Sequence, residues 1–454
     1  MLEVEQYQTG ITGSTAREIA ASAEAAIRDE RLGSGETLPT VRALARQLGT
    51  SPATVNSAYR ILRERGLVIG EGRRGTRVAP RPALRAPQRP RARLPRSDDA
   101  ARGVRDLAIG LPDPELLPDL GAALARIDVE ASSRIAGLES SDPGLLELAA
   151  AAFEADGIPA EAVGVVSGAF DGIERVLRAH LRPGDRVLIE DPAYVSIRDL
   201  LLALGLVAVP VEVDDSGLLP AQFAAALAHG VEAAVIVPRA QNPLGSAFDR
   251  EREAELRELL APHPDVLLVE DDHAGVVSGA PCSTLLTRAT QRWAVIRSVS
   301  KFLHPDLRVA LMAGDDTTIA RVEGLQALGP RWVSHVLQAL VAELLRDPEF
   351  ESISRHAADV YTARRGALVA ALADRGVGSH GRSGLNVWVP VREEAPVVGA
   401  LLDAGWRVLA GERFRLATPP GLRVTIANLD VSEADEVAEI VASVEHAGRP
   451  RRAY

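Results

Sequence analysis

Six apolar runs in this chain are continuous rather than alternating: residues 185–190, 206–212, 233–238 (AAVIVP), 266–271 (VLLVED), 294–298 and 309–314 (VALMAG). A sheet with one wet face would show every second residue polar, so unbroken runs predict strands buried on both faces of a mostly parallel sheet. Helical apolar spacing between the runs completes an α/β pattern. In such sheets ligands sit beyond the strand ends, so the polar residues that close these runs are the ones with chemistry to offer.

A chain of 454 residues exceeds one ordinary core and predicts two or three domains. Its net charge of −11 is unevenly spread. Residues 1–105 hold about 19 Arg against 11 acids, roughly +8, which leaves about −19 for the rest. The N-terminal part therefore suits a polyanion, or else an Arg-rich connector inflates the count. No run reaches the ~18 apolar residues of a membrane span, and the start MLEVEQYQTG has neither a basic nor an apolar leader. A cytoplasmic protein with no membrane attachment is expected. The single cysteine, Cys282, rules out an internal disulfide and a multi-cysteine metal site, so no metal is expected.

Of the 51 basic residues only one is a lysine, Lys301. Arginine matches lysine as a cation but not as a deprotonatable amine able to form a Schiff base. The retained lysine therefore points to that chemistry.

In the N-terminal segment, Thr15 and Glu18 form a capping-box pattern, and Ile19, Ala23 and Ile27 share one face of a helix expected through about Arg31. A second helix follows the 33–35 turn, with Pro39 in its first turn, Val41, Leu44, Ala45 and Leu48 at helical spacing, and Gly49 as its stop. Ser51 caps a third, with Pro52 at its first position and Val55, Ala58, Tyr59 and Leu62 as its buried stripe. Two short helices joined by so tight a turn are a helix-turn-helix, whose second helix turns Thr50, Ser51, Thr54 and Asn56 toward a major groove. LVIG, the turn EGRRG and TRV then predict a hairpin wing carrying Arg73, Arg74 and Arg77, with Gly72 and Gly75 in its turn. The string LPTVRALARQLGTSPATVNSAYRILRERGLV with EGRRGTRV resembles the winged helix-turn-helix of the GntR family of bacterial regulators. That resemblance implies double-stranded operator DNA as a partner. Arg42 would lie on phosphate or base, Thr54 and its neighbours in the groove, and Gly75 on the DNA backbone at the wing, where Arg73 and Arg74 supply the charge. Pro52 departs from the family, which often has an arginine there.

Residues 80–105 are rich in Pro and Arg with no periodic apolar pattern, and read as a semi-extended tether between a head at 1–79 and a body at 106–454. Within the body, Asp271 closes VLLVE, where a carboxylate could pair with a protonated pyridine nitrogen. Asn242 follows another strand in QNPLG. Lys301 follows WAVIRS, with Ser298 and Ser300 before it and Arg308 after, donors suited to a phosphate monoester.

Ser167-Gly168-Ala169, Asp191-Pro192-Ala193-Tyr194, Asn242-Pro243-Leu244-Gly245, Asp271, and Ser298 through Lys301 to Arg308 stand in the order and spacing of fold-type I aminotransferases. The resemblance runs from about 106 to 447 and implies an α/β aminotransferase-like fold with a smaller C-terminal subdomain. It implies pyridoxal 5′-phosphate held by Lys301 as the internal aldimine. Asp271 would then meet the ring nitrogen, Asn242 the ring hydroxyl and Tyr194 the ring face. Ser298, Arg308 and the Gly168 and Ala169 backbone would hold the phosphate, and Arg423 an effector carboxylate. His273 stands where a tyrosine often touches the cofactor, and Phe170 where a polar residue is usual.

A GntR-type head on an aminotransferase-like body resembles the MocR branch of that family. This implies a transcription regulator, commonly a head-to-tail homodimer, that senses pyridoxal phosphate alone or as an aldimine with a small amino compound. The alternative is a working aminotransferase carrying an accessory DNA-binding head.

Overall fold

The computed structural model describes residues 10–28, 31–33, 35–64, 67–70, 75–78, 103–130, 132 and 139–447. Arg73 and Arg74, most of the wing turn and nearly all of the expected tether lie outside these residues.

In the head, helix α1 spans Ala16–Arg28, and residues 29–30 of its expected end lie outside the described residues. Its capping box forms: Glu18 N donates to Thr15 Oγ1 at 3.3 Å, and Thr15 N to Glu18 Oε2 at 3.2 Å. Helix α2 spans Val41–Leu48, and Thr40 rather than Pro39 starts it, its side chain accepting from Ala43 N. Pro39 lies outside the helix, its carbonyl accepting from the buried Tyr59 hydroxyl at 2.7 Å. Gly49 ends α2 in the left-handed conformation, φ +63°, which a residue lacking Cβ adopts without strain. Helix α3, Pro52–Glu64, follows after three residues. Ile19, Leu44, Val55, Tyr59 and Leu62 close one small core. Strands β1 (Val68–Gly70) and β2 (Thr76–Val78) pair antiparallel as the base of the wing.

The body is built on an eight-stranded sheet in the order β4-β11-β10-β9-β8-β5-β6-β7. These strands are β4 Val163–Val166, β5 Arg186–Asp191, β6 Val207–Asp214, β7 Gly217–Leu218, β8 Ala233–Ile236, β9 Leu267–Asp272, β10 Trp293–Ser298 and β11 Ala310–Gly314. All six expected runs are strands. β5, β8, β9 and β10 run parallel, while β11 pairs antiparallel with both β10 and β4. β8, β9, β10 and β11 are buried throughout, as continuous apolar runs require, whereas β6 is mostly half-buried. Beyond the large sheet, β12 (Asn386–Pro390), β15 (Gly421–Thr425) and β14 (Leu409–Ala410) form a smaller sheet. Helices Phe350–Asp374, Glu394–Asp403 and Ala434–Ala447 accompany it as the C-terminal subdomain. The segment Arg105–Asp106 (β3) joins this part by pairing with Trp406–Arg407 (β13). Among the described residues no helix is long and apolar enough to cross a membrane.

Candidate functional site

The chain direction of the sheet gathers the residues singled out in the sequence at the carboxyl ends of its parallel strands. Parallel β5, β8, β9 and β10 end there in Asp191, the 237–242 turn, Asp271 and Ser298. Antiparallel β11 begins there, pairing Ala310 with Ser298 on one side and Val166 on the other. Gly168, Ser298, Lys301 and Arg308 are thus delivered to one place by strand register.

Gly168 precedes the helix Ala169–His180 with φ +94°, and no side chain caps that helix. A Cβ built on Gly168 would lie 2.7 Å from Arg308 Nη2 and 3.2 Å from its Cζ, so the guanidinium rests where any side chain would be. Arg308 itself takes φ +51°, a conformation costly for a non-glycine residue that occurs where surroundings demand it. Ser298 Oγ donates to Ser300 Oγ at 2.9 Å, and Ser300 N donates back to Ser298 Oγ at 3.3 Å. The open helix N-terminus, a guanidinium and two hydroxyls form a cradle for a small dianion.

Lys301 donates from Nζ to the Gly110 carbonyl. Burial, with Arg423 and Arg308 nearby, lowers its pKa to about 8 despite the opposing pull of Asp271. Asp271 is buried, and its Oδ1 has no hydrogen-bond partner among the described residues. Burial and the neighbouring Asp272 raise its pKa to about 7, while Lys301 works against the rise. A buried acceptor left unpaired is expensive unless a ligand satisfies it. Asp271, the lysine amine and the dianion cradle together match the ring nitrogen, aldehyde and phosphate of pyridoxal phosphate.

The remaining positions sit around this core. Arg423 is buried on β15, donates to the Ala108 carbonyl and, at 3.2 Å, to Asn242 Oδ1, and lies with its Cζ 5.0 Å from the centre of the Phe414 ring. Its Nε has no hydrogen-bond partner among the described residues, and burial lowers its pKa to about 10. His273 Nε2 pairs with the Ala240 carbonyl at 2.8 Å, and burial plus Lys301 drop its pKa to about 4, so it is a neutral ring at pH 7. Tyr194 is 38% exposed and meets Phe170 edge-on, ring centroids 5.4 Å apart. The aromatic Phe170, a departure from the expected polar residue, supports Tyr194 from the side.

Sequence reasoning did not anticipate the backbone carbonyls of Ala108 and Gly110, which carry no side-chain signal. It also passed over Asp191 as a positioning group: its carboxylate accepts from Leu416 N, Ala417 N and Thr418 N at 2.7–3.1 Å and so ties the loop before β15 to the site. In the head, Arg42 and Asn56 are exposed, while the hydroxyls of Ser51 and Thr54 are 2.8 Å apart and Ser51 Oγ also accepts from Thr54 N. Thr50 Oγ1 donates to the Ser14 carbonyl at 3.4 Å, and Gly75 has φ +89°.

The family model "Aminotransferase class I and II" matches residues 103–441, and "Bacterial regulatory proteins, gntR family" matches residues 15–78. The vitamin B6 salvage pathway transcriptional repressor PtsJ of Salmonella typhimurium is 38% identical over 94% of this chain and 98% of its own. The pyridoxine biosynthesis transcriptional regulator PdxR of Corynebacterium glutamicum is 26% identical over 75% of each. Among solved structures, kynurenine aminotransferase of Pyrococcus horikoshii, crystallised in complex with PMP, overlays with a TM-score of 0.70 at 21% identity, over 77% of this chain and 92% of that one. That likeness shows the fold of the body.

Proposed function

We propose that this chain, which belongs to the MocR branch of the GntR family of transcription regulators, binds pyridoxal phosphate in its body and couples occupancy of that site to operator binding by its head. The observation that carries the reading is the unpaired, buried Asp271 Oδ1 in the same site as Lys301 and the Gly168–Arg308 cradle. Lys301 would hold the cofactor covalently, and the cofactor, when bound, would supply an electron sink. Asp271 would take its ring nitrogen and Asn242 its hydroxyl, with Tyr194 and His273 beside the ring. Arg308, Ser298, Gly168 and Ala169 would hold its phosphate.

The names of the Salmonella and Corynebacterium relatives favour a vitamin B6 form as the signal itself. Arg423 would extend the site to the carboxylate of an amino compound. In the head, Arg42 and the wing residues Arg73, Arg74 and Gly75 would address the DNA backbone, and Thr50, Ser51, Thr54 and Asn56 the groove. The organisation follows as head 1–79, tether 80–105 and body 106–454, in a head-to-tail homodimer acting in the cytoplasm. Ligand and DNA are then linked: whatever factor the ligand applies to DNA affinity, DNA applies to the ligand.

An absorption spectrum of the protein with pyridoxal phosphate, recorded beside Lys301→Ala, tests the reading together with operator-fragment binding. A Lys301-dependent band whose formation changes DNA affinity is expected. A band accompanied by amino-acid turnover and unchanged DNA affinity would assign the protein to the transaminases, a chemistry that the lowered pKa of Lys301 also suits.

A further inference from the structure

Strand β9 ends in three successive carboxylates, Glu270, Asp271 and Asp272, all buried. Strand alternation sends Asp271 to one face and its neighbours to the other. On that other face Asp272 is gripped by two arginines. Arg239 makes a two-pronged contact, Nε to Oδ1 at 2.8 Å and Nη2 to Oδ2 at 2.7 Å. Arg297, which lies beside Asp272 in the β10–β9 register, adds Nε to Oδ2 at 2.7 Å and reaches Asp156 with Nη2 at 2.5 Å. The Asp272, Arg239 and Arg297 side chains are 5–6% exposed. Two acids and two arginines make the cluster neutral, and none of the four is needed to touch the ligand.

Two adjacent carboxylates in a dry site do not both ionise unless one is compensated. We propose, resting on the cofactor reading above, that Arg239 and Arg297 are positioning residues for Asp271. By neutralising Asp272 they allow Asp271 to carry a negative charge toward the ring nitrogen of pyridoxal phosphate. The other ionisable groups that act on this balance are Lys301, which favours the charged form of Asp271, and Glu190 at the end of β5, itself a buried acid whose pKa is raised to about 8 by burial and, less, by Asp271. The arginines also fix direction: with both Asp272 oxygens occupied, β9 is anchored on one face and presents Asp271 on the other.

The relation predicts opposite signs for two single substitutions. Arg239→Gln leaves the cluster negative and makes Asp271 harder to ionise. Asp272→Asn leaves it positive and makes Asp271 easier to ionise. The pair Arg239→Gln/Asp272→Asn restores neutrality. The carboxylic-acid C=O stretch of Asp271, followed by infrared spectroscopy against pH in the full chain without added ligand and assigned by Asp271→Asn, reads this directly. Its midpoint should rise by about one pH unit or more in Arg239→Gln, fall by about as much in Asp272→Asn, and return near the wild-type value in the pair. Loss of packing alone would not produce shifts of opposite sign. If Arg239→Gln does not fold, the fall in Asp272→Asn and its reversal in the pair still decide the matter. Midpoints that move the same way in both variants, or in neither, overturn the proposal. Because no cofactor is present in this titration, its failure is distinct from failure of the cofactor reading, which would appear as the absence of a Lys301-dependent band in the wild-type protein.

Discussion

Arg308 Nη2 lies 2.7 Å from the point where Gly168 would carry a β-carbon. The glycine is therefore required twice, for its φ of +94° and for the space that the guanidinium fills. Gly168→Ala should displace Arg308 from the helix N-terminus and strain the turn. A strained backbone position costs on the order of 1–3 kcal/mol, so pyridoxal phosphate affinity should fall about tenfold or more. Pyridoxal, which lacks the phosphate, should lose much less. Titrating both ligands by absorbance separates a phosphate defect from general damage, and equal losses would remove the cradle from the account.

The lysine sets a second expectation. With its pKa lowered to about 8, Lys301 reacts as a free amine well below the range of an ordinary lysine. The rate at which the protein captures pyridoxal phosphate should climb about tenfold per pH unit up to roughly pH 8 and then level off, instead of rising toward pH 10. Asp271→Asn removes the carboxylate that stabilises the ammonium form, so the plateau should begin at a lower pH. Stopped-flow absorbance across pH 6–10 measures both, and a rate still climbing above pH 9 would contradict the site electrostatics.

The contrast between these residues and Ala108, Gly110, Arg239 and Arg297 shows what one sequence discloses. Lys301 stood out because arginine cannot replace its chemistry, and Asp271 because a carboxylate closes a run that predicts a doubly buried strand. The strands themselves were legible because burial on both faces removes alternation, and the head because caps and turn length are local. β4 does not stand out as a run: Gly164 interrupts Val163–Val166, and Val163 is only half-buried. The carbonyls of Gly110 and Ala108 accept from Lys301 and Arg423, respectively, across 191 and 315 residues of chain and depend on tertiary folding alone. Arg239 and Arg297 carry no local sequence signal: register sets Arg297 beside Asp272, and the turn after β8 brings Arg239 to it.

Buried acids give the stability of the body a pH signature. Burial raises the Glu270 pKa to about 7, partly offset by the hydrogen bond its Oε1 accepts from Leu285 N at 2.6 Å. Between pH 4.5 and 7 the folded chain keeps a proton there that the unfolded chain has released. Stability therefore declines as pH rises through this window and stays lower above it. Glu270→Gln cannot ionise, so denaturation free energies of the variant relative to wild type should improve from pH 5 to pH 8 by at most roughly 3 kcal/mol. A constant offset is expected as well, because the amide replaces an oxygen, Oε2, that has no partner among the described residues. A difference that is flat with pH would show Glu270 ionised in the fold.

In the head, bonding divides the DNA-facing candidates into two kinds. Arg42, Asn56 and Ser51 are all exposed, but Ser51 is committed to the start of α3 by accepting from Thr54 N at 3.1 Å. Arg42→Ala should weaken binding alike on operator and random DNA and reduce the slope of log K against log salt by about one, the value of one lost phosphate contact. Asn56→Ala should leave the salt slope unchanged and narrow the gap between operator and random DNA by about 1–3 kcal/mol, the worth of a good base contact. Ser51→Ala removes a helix cap and should cost about 1 kcal/mol of head stability, visible as a lower melting temperature before any DNA is added. Fluorescence anisotropy over a salt series, with melting curves on the same variants, distinguishes the three. If Asn56→Ala changed only the salt slope, the groove-facing assignment of α3 would fail.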